Sequence, residues 1–351
     1  MTMTNENTAL WRLKRGGPFE VGPATYTRPG PDEVVVRARA IAVNPIDGMP
    51  GIFYRLILPW LKFPAVIGYD VAGEVSEVGE RVTRLKPGDR VVGIACGTEK
   101  SRNRPAEGGF QQFSVLMEHM VAPIPDSLSF DQAAVLPLAL STAAVGLFQK
   151  DHLGLPLPTA DPVDRAATVL VWGGSTSVGS NAIQLARNAG YRVVATASPH
   201  NFGYLRSLGA AGTADYHSPT VIDELVTLIG DSPLAGSIAI GSGALPKTIK
   251  VAARTEGSKR VTSAMPGPLM RIEGRGARRR RIKVSGIWGG SLKDNEVGPG
   301  IYVDFLPAAL ASGVYRAAPE PVVVGHGLAV LPEALQRLKA GVSAKKLVVT
   351  V

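Results

Sequence analysis

The 351-residue sequence predicts an α/β protein of two domains, one β-rich and one built on a doubly wound parallel sheet. Three observations predict it. Between about Ser127 and Lys293, helical and apolar strand segments alternate at the lengths of βαβ units. Within that stretch "TVLVWGGSTSVGSNAIQLARNAG" runs an apolar strand through a glycine turn into an amphipathic helix. From about Pro31 to Pro125, by contrast, short strands follow one another between Gly, Pro and Asp turn signals.

In the β-rich stretch the strands are expected in "DEVVVRARAIAVN", "DVAGEVSEVG", "GDRVVGIA" and "FQQFSVLMEHMVAPIP". In the alternating stretch "TVLVW" precedes the helix "SVGSNAIQLARNAG", "YRVVATA" precedes "NFGYLRSLGA", and "TADYH" precedes "TVIDELVTLIG". Three more strands, "GSIAIGSG", "KRVTSA" and "IKVSG", follow. The tail "PEPVVVGHGLAVLPEALQRLKAGVSAKKLVVTV" reads as strand, helix and strand, which suits a return to the first domain. The expected division is residues 1–140 with 308–351 for the β-rich domain, and 141–307 for the parallel-sheet domain.

With 45% hydrophobic and 19% charged residues the chain has enough apolar surface for a large core. No run of about 18 apolar residues appears and the start lacks the sections of a signal peptide, so a cytoplasmic protein without membrane contact is expected. A single cysteine, Cys96, excludes an internal disulfide and a cysteine-rich zinc lobe, and reads best as a small buried residue. The net charge of +9 is local: residues 254–283 hold ten Lys or Arg against two Glu, so eight of the nine net charges lie there. Its centre, Arg278 to Arg281, reads as a solvated loop or as a patch facing a phosphate-bearing substrate or an acidic carrier protein. No aromatic residues interleave with the arginines to stack bases, which argues against nucleic acid.

In the glycine turn, Gly173, Gly174 and Gly179 allow close approach of a pyrophosphate and close packing of helix on strand. The spacing departs from a strict G-x-G-x-x-G, so Gly174 and the hydroxyls of Ser175, Thr176 and Ser177 are the expected phosphate contacts; a strand–turn–helix that binds nothing is the bland alternative. After the second strand stands "SPHN". Ser198, His200 and Asn201 are donors where an NAD site would carry a carboxylate, which favours NADP; His200 would equally serve as a helix cap.

The motifs "AIAVNPIDG", "IGYDVAGEVSEVG", "PGDRVVG", "GGFQQFSV", "AAVLPLALSTAAVGLF", "GGSTSVGSNAIQLARNAGYRVVATASPHNF" and "GVSAKKLVVTV", in this order, resemble the zinc-independent medium-chain dehydrogenase/reductase superfamily. The likeness runs from about Glu33 to Val351. Within the superfamily it is similar to quinone oxidoreductases and most similar to the trans-acting enoyl reductases of polyketide pathways. It implies a GroES-like catalytic domain made from both chain ends, a Rossmann domain between them, and NADPH as cofactor. Where zinc-dependent relatives place a Cys and the His of a Gly-His-Glu, this sequence has Asn44 and Tyr69. The five His, at 119, 152, 200, 217 and 326, show no ligand spacing, so no metal is expected. Without a Lewis acid, reduction of a C=C bond conjugated to a carbonyl is the expected chemistry.

Carried over residue by residue, the resemblance puts Asn44 and Asp47 at the nicotinamide end with Thr142 on the cofactor. Ser175, Thr176, Ser177 and Val178 would hold the pyrophosphate, and Ser198, Pro199, His200, Asn201 and Tyr216 the adenosine phosphate. Thr262 and Ser263 would pass beneath the nicotinamide ribose, Ala344 and Lys345 would close over the cofactor, and Gly286, Ile287, Trp288, Gly289 and Gly290 would flank the substrate. Tyr54 is the expected proton donor, with solvent as the other source, and "NPID" also reads as a plain Pro turn. The implied substrate is an enone or acyl thioester, or a quinone; an NADPH-binding protein without catalysis is the reading from another class. An acidic acyl carrier protein is a further expected partner, and the chain is expected as monomer or homodimer.

Overall fold

The structure, a computed structural model, describes residues 6–265 and 267–351; residues 1–5 and 266, which fall inside the two expected domains, lie outside the described residues. By contacts the chain divides into one unit of Met1–Leu138, Tyr302–Ala311 and Glu320–Val351, and another of Ala139–Ile301 and Ser312–Pro319.

The first unit is β-rich, as expected. Strands β1 (Asn7–Arg12), β2 (Phe19–Ala24), β3 (Glu33–Ala42), β4 (Ala65–Val66), β5 (Asp70–Val78), β6 (Arg90–Ile94), β7 (Phe113–Met117) and β8 (Val121–Pro123) belong to it. A three-stranded sheet has the order β2-β1-β4. Strands β3 and β5 are covered on both faces over much of their length, which buries Val34, Val35, Val36, Ile41, Val71 and Val75 in the core.

The second unit carries β9 (Thr168–Trp172), β10 (Arg192–Ala197), β11 (Gly212–Asp215), β12 (Leu234–Ala239), β13 (Arg260–Ser263) and β14 (Lys283–Gly286). They form one sheet of order β11-β10-β9-β12-β13-β14 with every pair parallel, the doubly wound order of a dinucleotide-binding fold. Two further strands, β15 (Glu320–His326) and β16 (Lys345–Thr350), return to the first unit, where the seven-stranded sheet runs β15-β16-β3-β5-β6-β8 with β7 paired to β3.

The helices used below are α1 (Gly51–Ile57), α2 (Pro137–Phe148), α3 (Ser177–Asn188), α4 (Phe202–Ser207), α5 (Val221–Ile229), α6 (Ala244–Arg254) and α7 (Leu331–Lys339). The segment Phe130–Phe148 has the length and hydropathy of a membrane span, yet 72% of it is buried inside the protein, as in a core helix.

The unit boundaries depart from 140/141 and 307/308. Tyr302–Ala311 joins the first unit, where the Tyr302 hydroxyl donates to Pro137 O at 3.0 Å. Ser312–Pro319 joins the second because three amides on one face of α3 hold it. Asn181 donates to Ala318 O, Gln184 exchanges hydrogen bonds with Arg316, and Asn188 donates to Val314 O. These amides are polar in sequence yet buried, each paired with backbone that would otherwise be unsatisfied.

Candidate functional site

In the first unit the end of β3 delivers "NPID" into a tight turn. Asp47 N donates to Asn44 O at 3.0 Å, and Asn44 N donates to Asp47 Oδ2 at 2.7 Å. The Asn44 side chain is then fixed from both ends. Its Nδ2 donates to Asp70 Oδ2 at 2.9 Å, and its Oδ1 accepts from Lys346 Nζ. Lys346 also lies 3.0 Å from Asp70 Oδ2, and Leu138 N donates to Asp70 Oδ1 at 2.6 Å. Asn44, Asp47, Asp70 and Lys346 are all buried. Burial, opposed by the Asn44 amide and Lys346, pushes the Asp47 carboxyl up to about 8, and the Asp70 charge adds to the rise. Asp47 Oδ1 has no partner among the described residues.

Tyr54 stands on α1 beside this turn. Its hydroxyl is 2.9 Å from Asp47 O and 3.0 Å from Ile46 O, and the residue is only 2% exposed. Its one proton is therefore directed at main-chain carbonyls, and burial raises its pKa. This geometry suits a brace for the turn better than the expected proton donor. The Arg12 guanidinium packs 4.6 Å above its ring and 5.0 Å from that of Phe19. Tyr69 is buried against Thr98, whose hydroxyl donates to it at 2.7 Å; burial raises its pKa as well.

Sequence neighbours on β16 separate sharply. Lys345 turns outward onto Glu320 of β15, and Lys346 turns inward onto Asn44 and Asp70. Ala344 precedes them in the left-handed region at φ 47°. The alternation of a strand sends adjacent side chains to opposite faces. Lys345, expected with Ala344 to close over the cofactor, is thus exposed beside Glu320, whereas Lys346 enters the buried cluster of the first unit. Asp70 and Lys346 are the cluster members that the sequence reading missed, although Asp70 lies in the quoted "IGYDVAG".

In the second unit the parallel sheet brings most of the other expected residues to its C-terminal edge. After β9, Gly173 adopts φ +87°, and Thr196 of β10 ties down the turn by accepting from Gly173 N and Gly174 N. Thr176 caps α3, its hydroxyl oxygen accepting from Gly179 N at 3.0 Å. The three amides of Ser175, Ser177 and Val178 have no hydrogen-bond partner among the described residues and stand at the positive end of a 12-residue helix. A Cβ on Gly179 would lie 2.2 Å from Gly173 O, which explains the glycine by close packing. A Cβ on Gly174 would meet Leu205, Ala195 and Ile183, so that glycine serves the interior, and its amide is already used. These amides and this cradle fit a dinucleotide pyrophosphate.

At the end of β10, Ser198 donates to the Tyr216 hydroxyl at 3.2 Å and Asn201 meets His200 at 3.2 Å, with Pro199 and His200 exposed. The sequence reading missed Lys247 of α6, whose ammonium donates to Tyr216 O at 3.1 Å and lies 5.6 Å from the Trp172 ring centroid. It resembles any surface lysine of an amphipathic helix until the fold places it. Thr262 is buried with its hydroxyl on Ser237 O, and Ser263 ends β13 beside Gly286 of β14. Ile287 N donates to Ser263 O at 2.9 Å, Trp288 is half-buried, and Gly289 and Gly290 open a buried turn. Thr142 is half-buried on α2. Arg278 to Arg281 precede β14 and so lie toward the opposite, N-terminal edge of the sheet. Among the described residues no three His, Cys, Asp or Glu side chains gather as a metal-binding group.

The alcohol dehydrogenase GroES-like domain family matches residues 30–126. The sequence is 47% identical over 338 residues to Dehydrogenase orf1 of Aspergillus niger, covering 94% of each chain. It is 36% identical over 348 residues to the trans-enoyl reductase himH of Aspergillus japonicus, covering 98% of this chain and 97% of that one. Among solved structures, a quinone oxidoreductase of Pseudomonas syringae pv. Tomato DC3000 is similar with a TM-score of 0.72 at 25% identity, covering 98% of this chain and all of that one. The all-parallel sheet, its glycine turn and relatives that match nearly end to end lead to one conclusion: the chain belongs to the medium-chain dehydrogenase/reductase superfamily of oxidoreductases, whose members use nicotinamide cofactors.

Proposed function

We propose that this protein is an NADPH-dependent reductase of a C=C bond conjugated to a carbonyl, in an enoyl thioester or an enone, working without zinc. The observation that carries the reading is the fixed amide of Asn44, at the position where zinc-dependent relatives place a Cys. Held by Lys346 at Oδ1 and by Asp70 at one Nδ2 hydrogen, it keeps a second Nδ2 hydrogen for a substrate carbonyl oxygen. Donors aimed at developing enolate charge lower the barrier because they need no reorganisation at the moment of reaction.

When bound, NADPH would supply a hydride for the β-carbon. Ser175, Ser177 and Val178 offer amides for the pyrophosphate, and Ser198, His200, Asn201, Tyr216 and Lys247 provide donors and a cation for the 2′-phosphate. Asp47 and Tyr54 hold the turn that aims Asn44. Because the Tyr54 proton is committed to carbonyls, the proton for the α-carbon comes from solvent.

The test is NADPH consumption with crotonyl thioesters, cyclic enones and quinones, followed by the position of deuterium delivered from labelled NADPH. Label on the β-carbon of a saturated product is expected. Turnover confined to quinones would replace this reading, and binding of NADPH without turnover of any of the three would end it. Activity is expected to survive chelation; loss that is restored by added zinc would refute the zinc-independent part.

A further inference from the structure

The short helix α1 has two faces with different fates. Inward, Tyr54 hydrogen-bonds the carbonyls of Ile46 and Asp47. Outward, Ile52, Phe53 and Leu56 are 60%, 41% and 58% exposed. The turn between β1 and β2 lies against this helix. A Cβ on Gly16 would be 3.1 Å from Gly51 Cα, Arg15 donates to Pro59 O, and Leu13 adds another exposed apolar side chain.

The two chain segments that carry these apolar groups hold cations and no acidic residue. Residues 13–18 and 48–64 contain Lys14, Arg15, Arg55 and Lys62 and no Asp or Glu. All four are exposed, and none forms an ion pair among the described residues. Exposed apolar side chains inside a rim of one sign mark a surface for a partner of the opposite sign.

We propose that the outer face of α1, with Leu13 and the rim of Lys14, Arg15, Arg55 and Lys62, docks the acidic surface of an acyl carrier protein bearing the substrate as a thioester. The inference rests on the enoyl-thioester reading above and extends it to the partner that presents the substrate. Charge complementarity selects an acidic partner, and the apolar centre requires a partner that offers exposed apolar side chains of its own. Tyr54 of the same helix braces the turn of Asn44, so the docking surface and the substrate-holding amide lie within one short stretch of chain.

The experiment uses the full chain and, as probe, an acidic stand-alone acyl carrier protein loaded with crotonyl-phosphopantetheine. Binding is read by fluorescence anisotropy of labelled carrier, and turnover is compared between crotonyl-carrier and carrier-free crotonyl-pantetheine. In the triple variant K14E/R15E/K62E, carrier Kd and the KM for crotonyl-carrier should rise on the order of tenfold, because the rim acts through a screened field. Crotonyl-pantetheine should be reduced as by the parent, which also reports an intact fold. Leu56→Asn should weaken carrier binding with little change in its salt dependence.

Equal carrier binding by parent and triple variant would overturn the proposal. So would a rim that instead governs binding to vesicles containing phosphatidylserine while carrier binding stays unchanged. If the parent reduces neither thioester, the reductase reading fails, and the anisotropy arm still decides the docking surface.

Discussion

Lys346 and Lys345 differ by one position and are expected to differ by kilocalories. Lys346→Met leaves the Asp70 carboxylate, fully buried, without its cation, and breaking such a pair costs about 3–5 kcal/mol. Lys345→Met removes an exposed contact with Glu320 worth less than about 1 kcal/mol. Urea midpoints of the two variants should therefore separate clearly, and equal midpoints would refute the inward role of Lys346. Asp47 adds a pH signature to the same cluster. Its carboxyl titrates near 3.8 when unfolded and about 8 when folded, so between those values the native state holds a proton the unfolded chain has released. The stability it contributes is complete below the unfolded value, falls as pH rises through the window, and is gone above the folded value, with a slope of at most about 1.4 kcal/mol per pH unit. Asp47→Asn should remove that part of the slope between pH 5 and 8, as read from urea unfolding at each pH. A parent and variant that lose stability in parallel would show that another group titrates there. Lys247 is the remaining single-residue test. Loss of one charge-assisted contact is worth about 1.5–3 kcal/mol, so Lys247→Ala should weaken NADPH by roughly tenfold or more and leave NADH unaffected.

The strand–turn–helix from β9 to α3 makes a sharper test of how the sequence is read. Gly179→Ala would place a methyl 2.2 Å from Gly173 O and 2.7 Å from Gly174 Cα, both main chain, so the turn must open. Overpacking of this kind costs about 1–3 kcal/mol, and the amides of Ser175, Ser177 and Val178 should lose their alignment, so dinucleotide Kd rises. Gly203 in α4 has nothing within 4 Å of its Cβ position, and Gly203→Ala should gain roughly 0.5–1 kcal/mol from helix propensity. A Gly179→Ala protein that binds NADPH like the parent would remove the cradle argument. This segment was legible because its signals are local: an apolar run, glycines at a turn, a 3.6-residue period. The parallel, doubly wound character of the sheet followed from alternation of strand and helix, whereas its strand order is read only from the fold. The hairpin β1–β2 and helix α1 were not legible, because "NTALWR" and "GIFYRLI" are short and their partners distant. The Asn44 cluster was half legible. "NPID" stood out as a turn, but Asp70 and Lys346 are 26 and 302 residues from Asn44, and only pairing of β16 with β3 and of β3 with β5 brings them together. Lys247 was invisible for the same reason, since nothing near it in sequence distinguishes it from Lys250.

Net charge and fold together frame a test of what the arginine run does. Eight of nine net positive charges fall in residues 254–283, and from sequence alone that concentration suggested either a substrate-facing patch or a solvated loop. The parallel sheet separates the two. All six strands point their C-terminal ends to one edge, where the glycine turn, Ser198, Tyr216 and Gly286 lie, whereas Arg281 stands two residues before the start of β14. Strands of four to six residues at about 3.3 Å per residue put roughly 13–20 Å between the edges, more than a Debye length at physiological salt. Ala277 and Ile282 are buried in the core on either side, so the run is an exposed turn tethered by two apolar anchors. Replacing Arg278, Arg279, Arg280 and Arg281 by Gln should therefore leave NADPH Kd and turnover of a small enone unchanged. Because the cationic rim of α1 is assigned the carrier, the same variant should also leave the KM for crotonyl-carrier unchanged at low ionic strength. A rise in that KM with enone turnover intact would give the run the capture role and take it from α1. Unchanged kinetics on both substrates would leave the run as a solvated turn, its charge serving solubility.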